Sequence, residues 1–589
     1  MELNLADLFE SVAATVPDRP AIVAGDRRLT YRELDERADR LAAVLAAAGV
    51  GRDDFVGIQL PNGTEYLEVM IAAFKLRAVP VNVNYRYVDA ELRHLYSDAG
   101  LVALVHHTDF ADAVAGAVDA MAERRVVLAV GPGGDYEDAL AAATASSDYA
   151  PRSADDLYCI YTGGTTGLPK GVLWRHEDIF FTAMGGGDPF QLGDHITRAE
   201  QLAGRIPDFP LVALPAPPFM HAAAHWLAFA VLFGGGKVVT LPEGRFDPAA
   251  TWRLVDDEGV NILVVVGDAM ARPLADALAA DPDAYDLSTL MAMGSGGALL
   301  SPSTKARLRE LRPGLIVRDA FGSSETGQIG GGPPADGPDG SPRPHGGDRP
   351  PALDADPRPR APGRRPGARR RGLLGRERLV RPGRGKLAAC AAADDPDGSP
   401  RLHVDDRTAV LDDDLRPVAP GSGTVGRLAR GGRVPLRYLG DPEKSAATFV
   451  EVGGVRWALP GDLATVEDDG TIVILGRSSQ CINTGGEKVY PEEVEAALKA
   501  HPDVVDAVVV GVADERWGQS VSAVVQPRPG TTPTLDELRD AARDQLAGYK
   551  LPRRLVLVDE VLRSPAGKPD HRWAQSVAAA AAPPGEAGP

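Results

Sequence analysis

Tyr161-Thr162-Gly163-Gly164-Thr165-Thr166-Gly167-Leu168-Pro169-Lys170-Gly171 stands between two apolar runs, one ending at Ile160 and the other being Val172-Leu173-Trp174. That setting predicts a loop joining two strands. Its glycines let the backbone approach an anion closely and take conformations closed to other residues. The hydroxyls of Thr162, Thr165 and Thr166 and the Lys170 ammonium add donors, and successive backbone N–H groups can form an anion nest. A flexible linker would need no Pro-Lys-Gly ending, so the stretch reads as a phosphate loop. The loop of common nucleotide triphosphatases ends Gly-Lys-Ser/Thr and opens a helix. Here Lys170 follows a proline and no helix starts.

Outward from this loop, helix and strand alternate. Thr30 and Glu33 form a capping box, and Leu34, Ala38, Leu41, Leu45 and Ala48 follow at helical spacing, with Gly49 placed to end the helix. Residues 55–60 and 79–83 read as strands, 65–76 as an amphipathic helix, and 263–266 as another strand. The alternation predicts α/β layers around largely buried sheets. A strand from about Leu290 ends in Gly294-Ser295-Gly296-Gly297-Ala298, and Ser301 and Pro302 announce a helix. Beyond Arg401 short strands and turns take over. A strand at 471–475, further strands at 504–512 and 520–525, and a second capping box from Thr534 to Glu537 predict a small α+β domain.

The chain has 589 residues, enough for more than one domain, and its 44% hydrophobic and 25% charged residues are ordinary for a globular protein. A net charge of −19 argues against nucleic acid as a main partner. Cys159, Cys390 and Cys481 show neither metal spacing nor a disulfide framework, which fits a reducing cytoplasm. The N-terminus lacks a signal-peptide pattern, and no apolar run is long enough for a membrane span.

The 161–171 loop resembles the signature of the adenylate-forming superfamily, which includes acyl-CoA synthetases, luciferases and the adenylation domains of peptide synthetases. Three further motifs appear in that family's order: 319–327, 457–462 and 476–495. The resemblance implies a large N-terminal domain (1–478) of layered α/β subdomains plus a small β-rich part. It implies a small mobile α+β domain (479–575) hinged at Ser479, and residues 576–589 read as a disordered tail. It also implies an acyl-adenylate made from a carboxylic acid and ATP, with Mg²⁺, and transfer to coenzyme A.

The same resemblance implies roles for individual residues. Thr162, Gly163, Gly164, Thr165, Thr166, Gly167 and Lys170 would hold the triphosphate. Gly296, Gly297 and Ala298 would contact adenine and Phe321 would stack on it, although Tyr is more usual there. Ser324 would bond a phosphate or the acyl carboxylate, and Glu325 would hold Mg²⁺, to which a hard oxygen ligand is suited. Asp462 would accept both ribose hydroxyls, with Pro460 where Thr is usual, and Arg477 would contact the nucleotide. Gly485 and Gly486 would line the pantetheine tunnel. Lys568, in the Pro565-Ala566-Gly567 turn, would bridge the acyl carboxylate and the α-phosphate. His221, closing Pro217-Pro218-Phe219-Met220, would border the acyl pocket; His225 reads as structural.

Finer wording, such as Trp174-Arg175-His176-Glu177-Asp178 and Gly267-Asp268-Ala269-Met270-Ala271-Arg272-Pro273, resembles acyl-CoA synthetases for long-chain fatty acids and steroid side-chain acids. Three rivals stay open: an acyl-AMP ligase serving a carrier protein, a peptide-synthetase module, and a homologue that binds without turnover. No carrier or condensation domain follows, which counts against the second. Self-association into a homo-oligomer is also left open.

From Gly331 to Pro400 the sequence turns Pro-, Gly- and Arg-rich, as in Pro357-Arg358-Pro359-Arg360 and Arg369-Arg370-Arg371, and then recovers. Its composition is that of disorder. Two origins fit: a surface insertion, or a stretch translated in a shifted frame of a GC-rich gene, which the abrupt change and recovery favour. The shifted-frame reading fails if the other frames of the gene give no family-like residues after Gly327.

Overall fold

The computed structural model describes residues 2–146, 148–162, 169–187, 195–242, 244, 246–298, 300–330, 401–403, 407–477, 480–484, 487–514, 518–543, 545–546, 548–563 and 568–581. Among them are five sheets. The largest has eight strands, six of them parallel: Ile316–Ser323, Ala292–Gly296, Ile262–Val265, Val212–Pro215, Lys237–Thr240 and Pro20–Ala24. Antiparallel strands Gly327–Gly330 and Arg27–Thr30 close its edges. A four-stranded parallel sheet contains Val79–Asn82, Phe55–Gln59, Leu101–His107 and Val126–Val130. Strands this apolar suit a sheet covered on both faces, and one buried cluster joins helices 5–15, 31–47, 64–75 and 222–233 to them.

Local signals explain the helices between these strands. Thr30 Oγ1 accepts from the Glu33 N–H at 3.2 Å while Glu33 accepts from the Thr30 N–H at 2.8 Å. The helix Tyr31–Ala47 buries Leu34, Ala38, Leu41 and Leu45, the face its spacing predicts. Ser301 caps Pro302–Leu311 by accepting from the Thr304 N–H at 3.3 Å. In the small domain, Thr534 and Glu537 make the same reciprocal pair ahead of Leu535–Ala542.

The β-rich part is an antiparallel sheet whose strands include Thr408–Leu411, Gly426–Gly431, Asp462–Val466 and Thr471–Arg477. Its core of Val410, Val418, Leu428, Ala464, Val466 and Ile472 also takes in Ile329, and Phe321 packs against it. The small domain has its own sheet, with the long hairpin Val504–Asp514/Gly518–Pro527 and the parallel strand Arg554–Leu557. Ser479, the expected hinge, lies outside the described residues.

One expectation is corrected. Residues 576–580 are not part of a disordered tail: they lie within the helix His571–Ala580, and Ala574 and Ala578 are buried against Val508, Val510, Val512 and Val524; residues 582–589 lie outside the described residues. Alanine is the best helix former and its small side chain lets the helix lie close on the sheet; Asp570 caps the helix through the Trp573 N–H at 3.0 Å. The Ala/Pro/Gly composition had hidden that pattern. Among the described residues no helix is long and apolar enough to cross a membrane.

Candidate active site

The 161–171 stretch joins strand Leu157–Thr162 to strand Lys170–Arg175, antiparallel, with Thr162 directly opposite Lys170. The expected phosphate ligands Gly163, Gly164, Thr165, Thr166 and Gly167 lie outside the described residues. Their two flanks are fixed by neighbours. Asn82, buried, accepts from the Tyr161 N–H at 2.7 Å and donates to the carbonyls of Tyr161 (2.9 Å) and Met220 (2.7 Å). One amide side chain thus ties the loop's entry strand to the segment ending in His221. Asn62 grips the same segment, accepting from the Phe219 N–H at 2.6 Å and donating to the Pro217 carbonyl at 3.2 Å.

Lys170, at the loop's exit, pairs with Asp441. The hydrogen bond from Lys170, together with one from the Lys444 backbone N–H, lowers the Asp441 carboxyl from its ordinary range. Asp441 also caps the helix Pro442–Thr448. Just before it, Arg437–Tyr438 adds a third strand beside Lys170–Arg175, with Tyr438 opposite Val172. The buried Tyr438 hydroxyl donates to Glu325 Oε1 at 2.9 Å. Trp174, on the strand between, donates from its indole N–H to the Ser324 carbonyl at 3.0 Å. The three-stranded sheet therefore brings together Lys170, Ser324 and Glu325, along with Tyr438 and Asp441, which sequence reasoning did not single out.

Two glycines make the turn carrying Ser324 and Glu325. Gly327 has φ 64°, and a Cβ there would lie 2.3 Å from Thr182 Cγ2. A Cβ on Gly322 would lie 2.2 Å from the Gly327 carbonyl oxygen. Within the turn, the Ser323 N–H donates to Thr326 Oγ1 at 2.9 Å and the Glu325 N–H to Ser323 Oγ at 3.2 Å.

The expected adenine contacts fall on two adjacent parallel strands, Gly296 and Phe321, and just past the end of the first, Gly297 and Ala298. Gly296 is registered with Ala320, one residue before the half-buried Phe321. Gly297 is exposed with φ 86°, and Ala298 accepts from Ser295 Oγ at 2.5 Å. The carboxyl ends of parallel strands are where open α/β sheets bind ligands.

His221 is half-buried at the N-cap of helix Ala222–Phe233. His225, one turn on, is fully buried: its Nδ1 faces the Phe219 carbonyl at 2.7 Å and its Nε2 meets the Tyr158 hydroxyl. Burial pushes its pKa down to about 4, so the ring is neutral, in keeping with a structural role.

Asp462 is buried and stands in register with Arg477 on the neighbouring strand of the β-rich sheet. Lys568 is exposed, next to Pro569, which bridges Arg563. Arg563 makes a paired contact with Asp506 at 2.6 and 2.7 Å. Gly485 and Gly486 fall between the paired strands Ile482–Thr484 and Glu487–Val489 and lie outside the described residues.

Comparison with known proteins identifies this arrangement. The AMP-binding enzyme family model matches residues 9–356, ending inside the anomalous stretch, and the AMP-binding enzyme C-terminal domain matches 493–583. The chain is 45% identical to the 3-oxocholest-4-en-26-oate–CoA ligase of Rhodococcus rhodochrous, covering 98% of this chain and 96% of that one. It is 44% identical to the medium/long-chain-fatty-acid–CoA/3-oxocholest-4-en-26-oate–CoA ligase of Mycobacterium tuberculosis, covering 97% and 96%. Its fold is that of the anthranilate CoA ligase AuaEII in complex with anthranoyl-AMP, with a TM-score of 0.76 at 21% identity over 98% of both chains. The sheets, their order and these matches have one reading: the chain belongs to the AMP-binding enzyme family.

Proposed function

We propose that the protein is an AMP-forming acyl-CoA ligase that activates a medium- or long-chain fatty acid or a steroid side-chain acid. The observation that carries this reading is the 45% identity, over 98% of the chain, to a ligase of a steroid side-chain acid. The charge and the scattered cysteines support a cytoplasmic setting.

In this reading the acid's carboxylate attacks the α-phosphorus of ATP, pyrophosphate leaves, and the CoA thiol then displaces AMP. The chain's own residues position these steps. Thr162 and Lys170 frame the triphosphate loop, with Asp441 holding the lysine at its mouth. Glu325 is half-buried and takes the Tyr438 hydroxyl on one oxygen, which leaves the other suited to a hard cation. A Mg²⁺ held there would neutralise charge on the triphosphate. Gly296, Gly297, Ala298 and Phe321 would bracket adenine, and Asp462 and Arg477 the ribose and phosphate. His221 would border the acyl carboxylate, with Ser324 beside it. Lys568 would neutralise charge at the α-phosphate, and Gly485 and Gly486 would line the pantetheine tunnel once the small domain has turned about 479.

The test is mass spectrometry of products after incubation with ATP, Mg²⁺, CoA and a panel of fatty and steroid acids. Acyl-CoA from long-chain or steroid acids is expected. Acyl-adenylate that accumulates without thioester would instead favour an acyl-AMP ligase.

A further inference from the structure

The anomalous stretch has a template elsewhere in the chain. Asp339-Gly340-Ser341-Pro342-Arg343 returns as Asp397-Gly398-Ser399-Pro400-Arg401, and the agreement runs on at constant spacing. From 339 to 363, sixteen of the twenty-five residues are identical to those fifty-eight positions later, among them His345/His403, Asp348-Arg349/Asp406-Arg407, Leu353-Asp354/Leu411-Asp412 and Ala361-Pro362-Gly363/Ala419-Pro420-Gly421. The spacing is recovered at Lys386/Lys444 and Ala388-Ala389/Ala446-Ala447 after a divergent middle. A unit of that length starting at Ala335 ends at Ala392, where its partner begins.

We infer that 335–392 is a decayed tandem copy of 393–450, and that the downstream copy alone builds the catalytic domain. Neither an unrelated insertion nor a shifted frame yields position-by-position identity with a neighbouring segment. The differences also have a direction. Leu402, Val410, Leu415 and Val418 are answered by Pro344, Ala352, Pro357 and Arg360. Val410 and Val418 are buried in the β-rich core against which Phe321 packs. Strand 401–403 pairs with 471–477, and proline in place of Leu402 would remove a backbone donor from that strand. An arginine in place of Val418 would carry a charge into an apolar core.

The copies differ equally at the site. At the same spacing, carried through the divergent middle, Tyr438, which holds Glu325, falls on Val380, and Asp441, which pairs with Lys170, falls on Gly383. The upstream copy lacks both groups. The stretch thus adds length between Glu325 and the β-rich sheet without replacing any residue that either one needs.

Excision tests this independently of substrate. A chain lacking 335–392 is expected to be soluble, with the unfolding midpoint and circular dichroism of the full chain. One lacking 393–450 is expected to lose the folded state. The inference is overturned if removing 335–392 lowers the midpoint, or if the chain without 393–450 folds. Point variants separate a bad junction from a wrong inference: V410A/V418R should lower the midpoint of the full chain and A352V/R360V should leave it unchanged. A shift caused by the second pair would show that the upstream copy takes part in the fold.

Discussion

Tyr438 and Asn82 show how single side chains set this site, and each supports a test. Replacing Tyr438 by Phe removes the hydroxyl that donates to Glu325 while keeping the ring packed on Phe449. A hydrogen bond to a charged group contributes about 1.5 to 3 kcal/mol, so pyrophosphate release should slow by roughly tenfold or more. If Glu325 holds Mg²⁺, the concentration of Mg²⁺ for half-maximal rate should also rise; an unchanged Mg²⁺ curve would argue against that role. Asn82→Ala leaves two buried carbonyls and one N–H without this partner, and should cost about 2 kcal/mol of stability, read by urea unfolding. Two buried histidines give a pH test. Burial holds His176 and His225 down at about 4, against an ordinary value of about 6.5. The unfolded chain takes up these protons first, so their contribution is complete above about pH 6.5 and is lost as pH falls towards 4. Unfolding free energy should drop by roughly 2 kcal/mol for the pair between about pH 7 and about pH 5.5, before most carboxylates titrate. A flat profile there would contradict the neutral assignments.

Between elements, helix Gly267–Ala280 grips the small domain through Arg272. Arg272 donates to the carbonyls of Lys499 (3.0 Å), Val504 (2.9 Å) and Val505 (2.8 Å), where helix Pro491–Lys499 gives way to a strand. Its fork reaches one acceptor at the helix C-terminus, where cations are favoured, and two at the start of the strand Val504–Asp514. Arg272→Ala should therefore speed amide hydrogen exchange across 500–510 relative to the large domain, and Lys, a point donor, should restore only part of the protection. Equal exchange in Arg272→Ala and the parent would show the grip to be dispensable. At this scale much was legible beforehand. The capping boxes at Thr30 and Thr534, the Ser301 cap and the strands around the 161–171 loop are local, and their residues carry the signal. Tyr438, Asp441, Asn62 and Asn82 were not legible, because each acts on a partner remote in sequence that only the sheet pairing brings near. The Val577 helix was missed because alanine-rich composition looks alike in a packed helix and in a tail.

For the whole molecule, the order of motifs along the chain was sufficient to expect an adenylate-forming architecture, and the sheets and relatives agree with it. The stretch after Gly330 resisted reading by composition alone, since a repeat is visible only when the chain is compared with itself. We propose that this architecture activates a carboxylic acid with ATP. The most direct test is pyrophosphate release by the full chain with ATP and Mg²⁺, with and without a long-chain or steroid side-chain acid. Release should require the acid and yield acyl-CoA when CoA is added. Bound ATP with no acid-dependent release across the panel would contradict it.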